Sequence, residues 1–539
     1  MKRKEFIKSG TIAAAGLPAL ITSVGSVSDD RITPKKINMI SDEFELNEIT
    51  IGELQKKMEE GKYTSETITK LYLQRIDDFD RNGPAVNSVI ELNPDALQTA
   101  KELDAERKKG KIRGPLHGIP VLIKDNIDTA DKMMTTAGSL AMTGNKPAED
   151  AFIVRKLREA GAVLLGKTNL SEWANFRSGR SCSGWSSRGG QTKNPYILDH
   201  NPCGSSSGSG AAVAANFCAA AVGTETDGSV TCPASVNGIV GIKPTVGLLS
   251  RSGIIPISVT QDTAGPMART VADAAVLLSV LTGTDPDDII TKVSEGRAVS
   301  DYTEFLDKKG LKGKRIGVEK KKYENQFMFR LFQKSLNTLK EQGAEIVEIE
   351  YLDKINELGD AEFEVMKYEF KYGIDKYLSD NNSPVKSLKE LIKFNSDNED
   401  RVMPTFRQEL LEECVGKAGL DSVEYLTALE KSHKGSQKII DDVMQENKLD
   451  AIAGFTMGPA CSTDTIYGDR WGDVYLTAPA AMSGYPHITV PAGMVFDLPV
   501  GISFFSGAYK EGELIRIAYS FEQAEKKRVK PEFKRSFLP

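Results

Sequence analysis

Three short stretches hold side chains able to do covalent chemistry. Val121-Leu122-Ile123 is an apolar run, and Lys124 stands at its end. Gly204-Ser205-Ser206-Ser207-Gly208-Ser209-Gly210 supplies hydroxyls ahead of an alanine-rich segment, and Gly223-Thr-Glu-Thr-Asp-Gly-Ser229 reads as a tight turn. A serine hydroxyl is a weak nucleophile until a base takes its proton. A lysine can be that base only when neutral. Its ordinary pKa of about 10.4 must then be lowered by burial or by positive potential. The carboxylate of Asp125 works against this, unless a strand through both residues turns the two side chains to opposite faces.

Two familiar signatures match in letters and fail in context. Gly161-Ala-Val-Leu-Leu-Gly166-Lys167-Thr168 fits the phosphate-binding pattern G-x4-G-K-[ST]. That loop has its strand before the first glycine, whereas here the intervening residues read as the strand and a helix precedes Gly161. Gly204-Ser-Ser206-Ser-Gly208 fits the nucleophile elbow G-x-S-x-G, which would make Ser206 the nucleophile. The elbow needs an apolar strand ahead of it and a histidine beyond. Asp199-His-Asn-Pro-Cys203 is no strand, and only His433 and His487 lie downstream.

The elements that must hold these residues alternate between helix and short strand. Residues 51–60 read as a helix ending at Gly61, and Thr64 caps a second helix running to about residue 80. Pro94 opens another that ends near Gly110. Strands are expected at 121–123, 162–165 and 219–224, and helices at 153–160 and 211–217. Residues 176–210 form a long Gly-, Ser-, Asn- and Pro-rich loop, a length that usually signals function or disorder. Residues 300–450 are charged and largely helical, with strands at 315–318 and 344–349, and read as a peripheral elaboration at the pocket mouth. Short apolar runs return at 451–455, 487–491 and 500–505. This alternation argues an α/β fold with a layered sheet.

Composition narrows the function. The 539 residues are 40% apolar and 27% charged, a globular balance, with a formal net charge of −6. Residues 1–27 carry Lys2, Arg3, Lys4 and Lys8 against Glu5, so the remainder stands at −9. Such a surface repels phosphate backbones, and no nucleic-acid partner is expected. A basic start, an apolar stretch over 12–24 broken by Pro18, and small residues at 23–26 read as an export signal peptide over 1–27. Arg3-Lys4-Glu5-Phe6-Ile7-Lys8 is similar to a twin-arginine signal with lysine in place of one arginine. The mature chain, 28–539, is expected in the periplasm or outside the cell, with no stable membrane insertion. Four scattered histidines and six cysteines without CxxC spacing point to no metal site, and the cysteines read as small buried side chains.

In order and spacing, the pieces resemble the amidase signature family. The matching segments are Gly118-Ile-Pro-Val-Leu-Ile-Lys124-Asp125-Asn126, Gly166-Lys-Thr-Asn-Leu-Ser-Glu172, Asn194-Pro195, residues 204–210 and residues 223–233. Gly238-Ile-Val-Gly-Ile-Lys-Pro-Thr245, Gln261-Asp-Thr-Ala-Gly-Pro266 and Pro499-Val-Gly-Ile-Ser503 extend the match over residues 45–290 and 450–525. The resemblance implies a single large α/β/α domain around a mixed sheet, with a helical insertion at 300–450. It implies hydrolysis of carboxylic amides to acid plus ammonia or amine through a seryl acyl-enzyme, without a cofactor. It assigns Ser229 as nucleophile and Lys124 as base. Ser205, 24 residues before Ser229, becomes the proton relay, following a cis bond from Gly204. Backbone N–H groups of Thr226, Asp227, Gly228 and Ser229 would form the oxyanion hole.

The family turn commonly reads Asp-x-Gly-Gly-Ser-x-Arg. Here Asp227 replaces a glycine and Thr231 an arginine. Residues 223–233 and 179–196 are most similar to the bacterial peptide amidase branch, which removes the C-terminal amide from peptides. Two alternatives share the fold: the glutaminase-type subunit of the tRNA-dependent amidotransferase, and a non-catalytic extracellular binding protein. The export signal and the −9 charge oppose the first, and the intact Lys124, Ser205 and Ser229 the second.

Overall fold

A mixed sheet of eleven strands runs through the computed structural model, which describes residues 43–320, 323–472 and 474–536. In chain order the strands are β1 (Val89–Leu92), β2 (Pro120–Lys124), β3 (Val163–Thr168), β4 (Ala220–Glu225), β5 (Val240–Lys243) and β6 (Thr263–Ala268). They continue as β7 (Arg315–Glu319), β8 (Glu345–Ile349), β9 (Ala451–Phe455), β10 (His487–Val495) and β11 (Leu498–Phe505). Their order across the sheet is β1-β3-β2-β4-β6-β5-β10-β11-β9-β7-β8. The expected α/β class with a layered mixed sheet is borne out. The export signal expected over 1–27 lies outside the described residues.

Strand β2 lies at the heart of the first half, parallel to β3 on one side and to β4 on the other. All its residues are buried, as a parallel strand covered on both faces requires. Its register sets Lys124 opposite Thr168 and pairs Ile123 with Val222, so Lys124 reaches the same end of the sheet as the end of β4. Sites on parallel α/β sheets gather beyond the carboxyl ends of the strands.

The local signals behave as their chemistry dictates. Thr50 and Glu53 form a reciprocal capping box on helix Ile51–Glu59. The Thr64 hydroxyl accepts from the Thr67 N–H and caps helix Ser65–Arg75, which continues through a wider turn to Arg81. The helix expected at 211–217 instead spans Ser207–Ala214 and is wholly buried. Its glycines are packing necessities. A Cβ on Gly208 would lie 2.2 Å from the Ser88 carbonyl oxygen and 2.5 Å from that of Asn169.

The 300–450 segment is not purely peripheral. Its strands β7 and β8 extend the main sheet in parallel beyond β9. Helix Gly359–Asp380 and its successors pack one apolar cluster against Trp173, Phe176 and Ile257 of the first half and a smaller one among themselves. No helix among the described residues is long and apolar enough to cross a membrane. All six cysteines are free thiols, five buried and Cys461 half-buried.

Candidate active site

Lys124 is fully buried at the end of β2. Its Nζ lies 2.8 Å from Ser205 Oγ, 2.8 Å from Thr224 Oγ1 and 3.2 Å from the Thr224 carbonyl oxygen. Asn126 Nδ2 also donates to Thr224 Oγ1, at 3.0 Å. Burial pushes the lysine down from its usual range to about 7, against the pull of the Asp262 and Glu225 carboxylates. A neutral amine has two N–H donors and one lone pair. With its two N–H groups directed to the Thr224 carbonyl and Thr224 Oγ1, the lysine's lone pair can accept from the Ser205 O–H.

Asp125 does not oppose this. Its carboxylate points away, accepting from the Thr136 hydroxyl and the Gly138 N–H, with Arg188 Nη1 at 3.4 Å. The strand ends at Lys124, so it is the turn beginning at Asp125, not strand alternation, that carries the carboxylate away.

Ser205 follows a cis peptide bond from Gly204 and is fully buried. A Cβ on Gly204 would lie 2.2 Å from Ser171 Oγ, so only glycine fits there. The Ser171 N–H donates to the Ser205 carbonyl at 3.1 Å. Ser206, the elbow candidate, is committed to structure. Its Oγ donates to the Thr224 carbonyl at 3.0 Å and accepts from the Thr224 N–H at 3.2 Å. The missing side chain of Gly223 makes room for it, since a Cβ would sit 2.7 Å from Ser206 Oγ. Lys167 lies within β3 itself, buried, donating to the Ile127 carbonyl and to Thr135 Oγ1. Neither letter-only signature is built.

The turn carrying Ser229 is held from inside. Glu225 accepts from the N–H groups of Val230 and Thr231, at 2.7 and 2.8 Å, and from the Thr231 hydroxyl. Thr226 Oγ1 donates to Asp262 at 2.5 Å, and Asp227 accepts from Thr477 Oγ1 at 2.5 Å. Burial raises Asp262 to about 6. Gly228 turns at φ +74°, where a Cβ would meet the Tyr475 hydroxyl at 2.8 Å. Ser206 N–H donates to the Ser229 carbonyl at 3.1 Å and ties the two serine turns together. Among the described residues, the Ser229 hydroxyl has no hydrogen-bond partner, and the N–H groups of residues 226–229 find no acceptor. No direct hydrogen bond joins Ser205 Oγ to Ser229 Oγ.

Ser229 lines a cleft of about 360 Å³ together with Gly204, Thr226 and Asp227. The far walls come from distant segments: Phe363 and Met366 on helix Gly359–Asp380, and Asp469, Trp471 and Tyr475 from the stretch after β9. The elaboration therefore does shape the mouth. Sequence reasoning missed Thr224 as the lysine's clamp and Asp262 and Thr477 as anchors of the turn. It quoted Asn126 and Glu225 within motifs without giving them roles. None of the four histidines lines the cleft. Among the described residues, no three His, Cys, Asp or Glu side chains gather to hold a metal ion.

Comparison with known proteins agrees with this arrangement. The model of the Amidase family matches residues 67–515. A probable amidase of Arabidopsis thaliana is 42% identical over 527 residues, 96% of each chain. A putative amidase of Schizosaccharomyces pombe is 38% identical, covering 90% of this chain and 87% of its own. The X-ray structure of the native peptide amidase from Stenotrophomonas maltophilia superposes with a TM-score of 0.87 at 48% identity, over 91% of this chain and 99% of that one.

Proposed function

This chain belongs to the amidase family and is an amide hydrolase, and from that premise we propose that it works through a seryl acyl-enzyme, with Ser229 as nucleophile, Ser205 as relay and Lys124 as base. The observation that carries the reading is the buried contact of 2.8 Å between Lys124 Nζ and Ser205 Oγ. No histidine lines the cleft, and the buried lysine behind Ser205 supplies the base in its place.

In this scheme neutral Lys124 accepts the Ser205 proton while Ser205 Oγ accepts that of Ser229. The Ser229 hydroxyl, free to rotate, closes the last gap when substrate enters; hydrogen bonds of this kind often tighten only in the complex. Ser229 Oγ attacks the amide carbonyl. The uncommitted N–H groups of Thr226, Asp227, Gly228 and Ser229 receive the developing oxyanion, where one such donor is worth about 2.7–4 kcal/mol. The proton held by Lys124 returns through Ser205 to the nitrogen, and ammonia or an amine leaves. Water then splits the acyl-enzyme by the same relay, so that amide plus water gives acid plus amine.

We infer a peptide C-terminal carboxamide as substrate. The likeness to the peptide amidase supports it. Ser229→Ala tests the scheme: hydrolysis of a peptide amide should fall by roughly 10⁴-fold or more, in the manner of other nucleophile deletions, with the fold intact by circular dichroism. Substantial residual turnover would sink the assignment.

A further inference from the structure

The cleft that holds Ser229 is one-sided in charge. Its described lining residues include two carboxylates, Asp227 and Asp469, and no lysine, arginine or histidine. Asp227 stands two positions before Ser229 and accepts from Thr477 Oγ1 at 2.5 Å and from the Tyr475 hydroxyl at 3.5 Å. Asp469 accepts from the Ser183 N–H at 3.0 Å, from Asn201 Nδ2 at 2.7 Å and from Trp471 Nε1 at 3.3 Å. All these partners are neutral, so the two negative charges are stabilised but not cancelled. The buried Lys243 favours the Asp227 carboxylate through space but spends its hydrogen bonds on the carbonyls of Pro244 and Tyr485.

The walls add a side-chain acceptor that has no partner. Asn175 turns its Nδ2 to Ser183 Oγ at 2.9 Å, which leaves its buried Oδ1 without a partner. The rings of Phe363 and Trp471 face the same space. Carboxylates and aromatic faces are together what a cationic group seeks. They repel a carboxylate, including the one each turnover would generate.

Resting on the amide-hydrolase reading, we propose that Asp227 and Asp469 are specificity-determining residues that make the cleft select amides whose acyl part carries a positive charge, such as a lysine- or arginine-type side chain. A unit charge at about 6 Å in a half-wet cleft is worth about tenfold in kcat/KM.

The test compares the N-acetyl α-amides of lysine, norleucine and glutamate at about pH 8, above the value of about 6 to which burial raises Asp227. The wild-type enzyme should favour lysine over norleucine about tenfold and discriminate against glutamate. Asp227→Asn and Asp469→Asn should each move the lysine/norleucine ratio toward one, whatever they do to the absolute rate. Should either variant fail to fold, the wild-type ratio must still shrink as salt screens the cleft. A wild-type ratio near one, or a ratio that neither the folded variants nor salt alters, overturns the inference while leaving amide hydrolysis standing. Turnover of none of the three overturns the proposed carboxamide substrate and this inference with it.

Discussion

Replacing Lys124 with methionine should make the protein relatively more stable in acid while silencing it. Lys124 is fully buried, and burial lowers it from 10.5 to about 7. Holding the ammonium form in the fold therefore costs about 5 kcal/mol relative to the unfolded chain. The sign follows from proton counting. Between pH 7 and 10.5 the unfolded lysine keeps a proton that the folded one has released. Stability then rises with pH at about 1.4 kcal/mol per unit, and below about pH 7 the whole penalty is present. Methionine fills much the same volume and does not titrate. The stability of Lys124→Met minus that of the wild type should thus fall by about 3 kcal/mol between pH 6 and pH 9. The hydrogen bonds lost to Ser205 and Thr224 add a constant offset of about 1–3 kcal/mol that cancels in this difference. Urea unfolding of both proteins at the two pH values measures it. A stability difference that is the same at both would refute a depressed Lys124 and remove the physical ground for a lysine base.

The same proton appears in catalysis. Since the base must be neutral, kcat/KM should climb with pH below about 7 and level off above it; a profile flat from pH 5.5 to 8 would contradict the assignment. Ser205→Ala removes the hydroxyl that bridges base and nucleophile, and should lower kcat by about 10²–10⁴-fold with little change in stability. Steady-state kinetics on a peptide amide, with thermal melts as control, decide that one.

How far the chain could be read depended on the range over which each signal acts. Capping at Thr64 and the apolar runs of β2 and β9 are local, and the structure keeps them. Strand β6 escaped notice because Gly265 and Pro266 argue against a strand. It is specified instead by its neighbours: a Cβ on Gly265 would lie 2.4 Å from the Ile242 carbonyl oxygen. Helix Ser207–Ala214 began earlier than its composition suggested for a related reason, since Gly208 is set by close approach of Ser88 and Asn169. The triad candidates were legible because they lie in three compact motifs. Thr224 as clamp depends on strand register, while Asp262 and Thr477 reach the Ser229 turn, and Trp471 the cleft, through long-range packing that no local pattern encodes. Lysine depression was likewise invisible, since it follows from burial alone.

The central claim is that Ser229, and not the conspicuous serine run before it, forms the covalent bond. Labelling the native enzyme with a fluorophosphonate and mapping the modified peptide tests this directly. The account predicts a single adduct on Ser229, lost in Lys124→Met because the hydroxyl is no longer activated. An adduct on Ser206, whose hydroxyl is engaged with the Thr224 backbone, would contradict it.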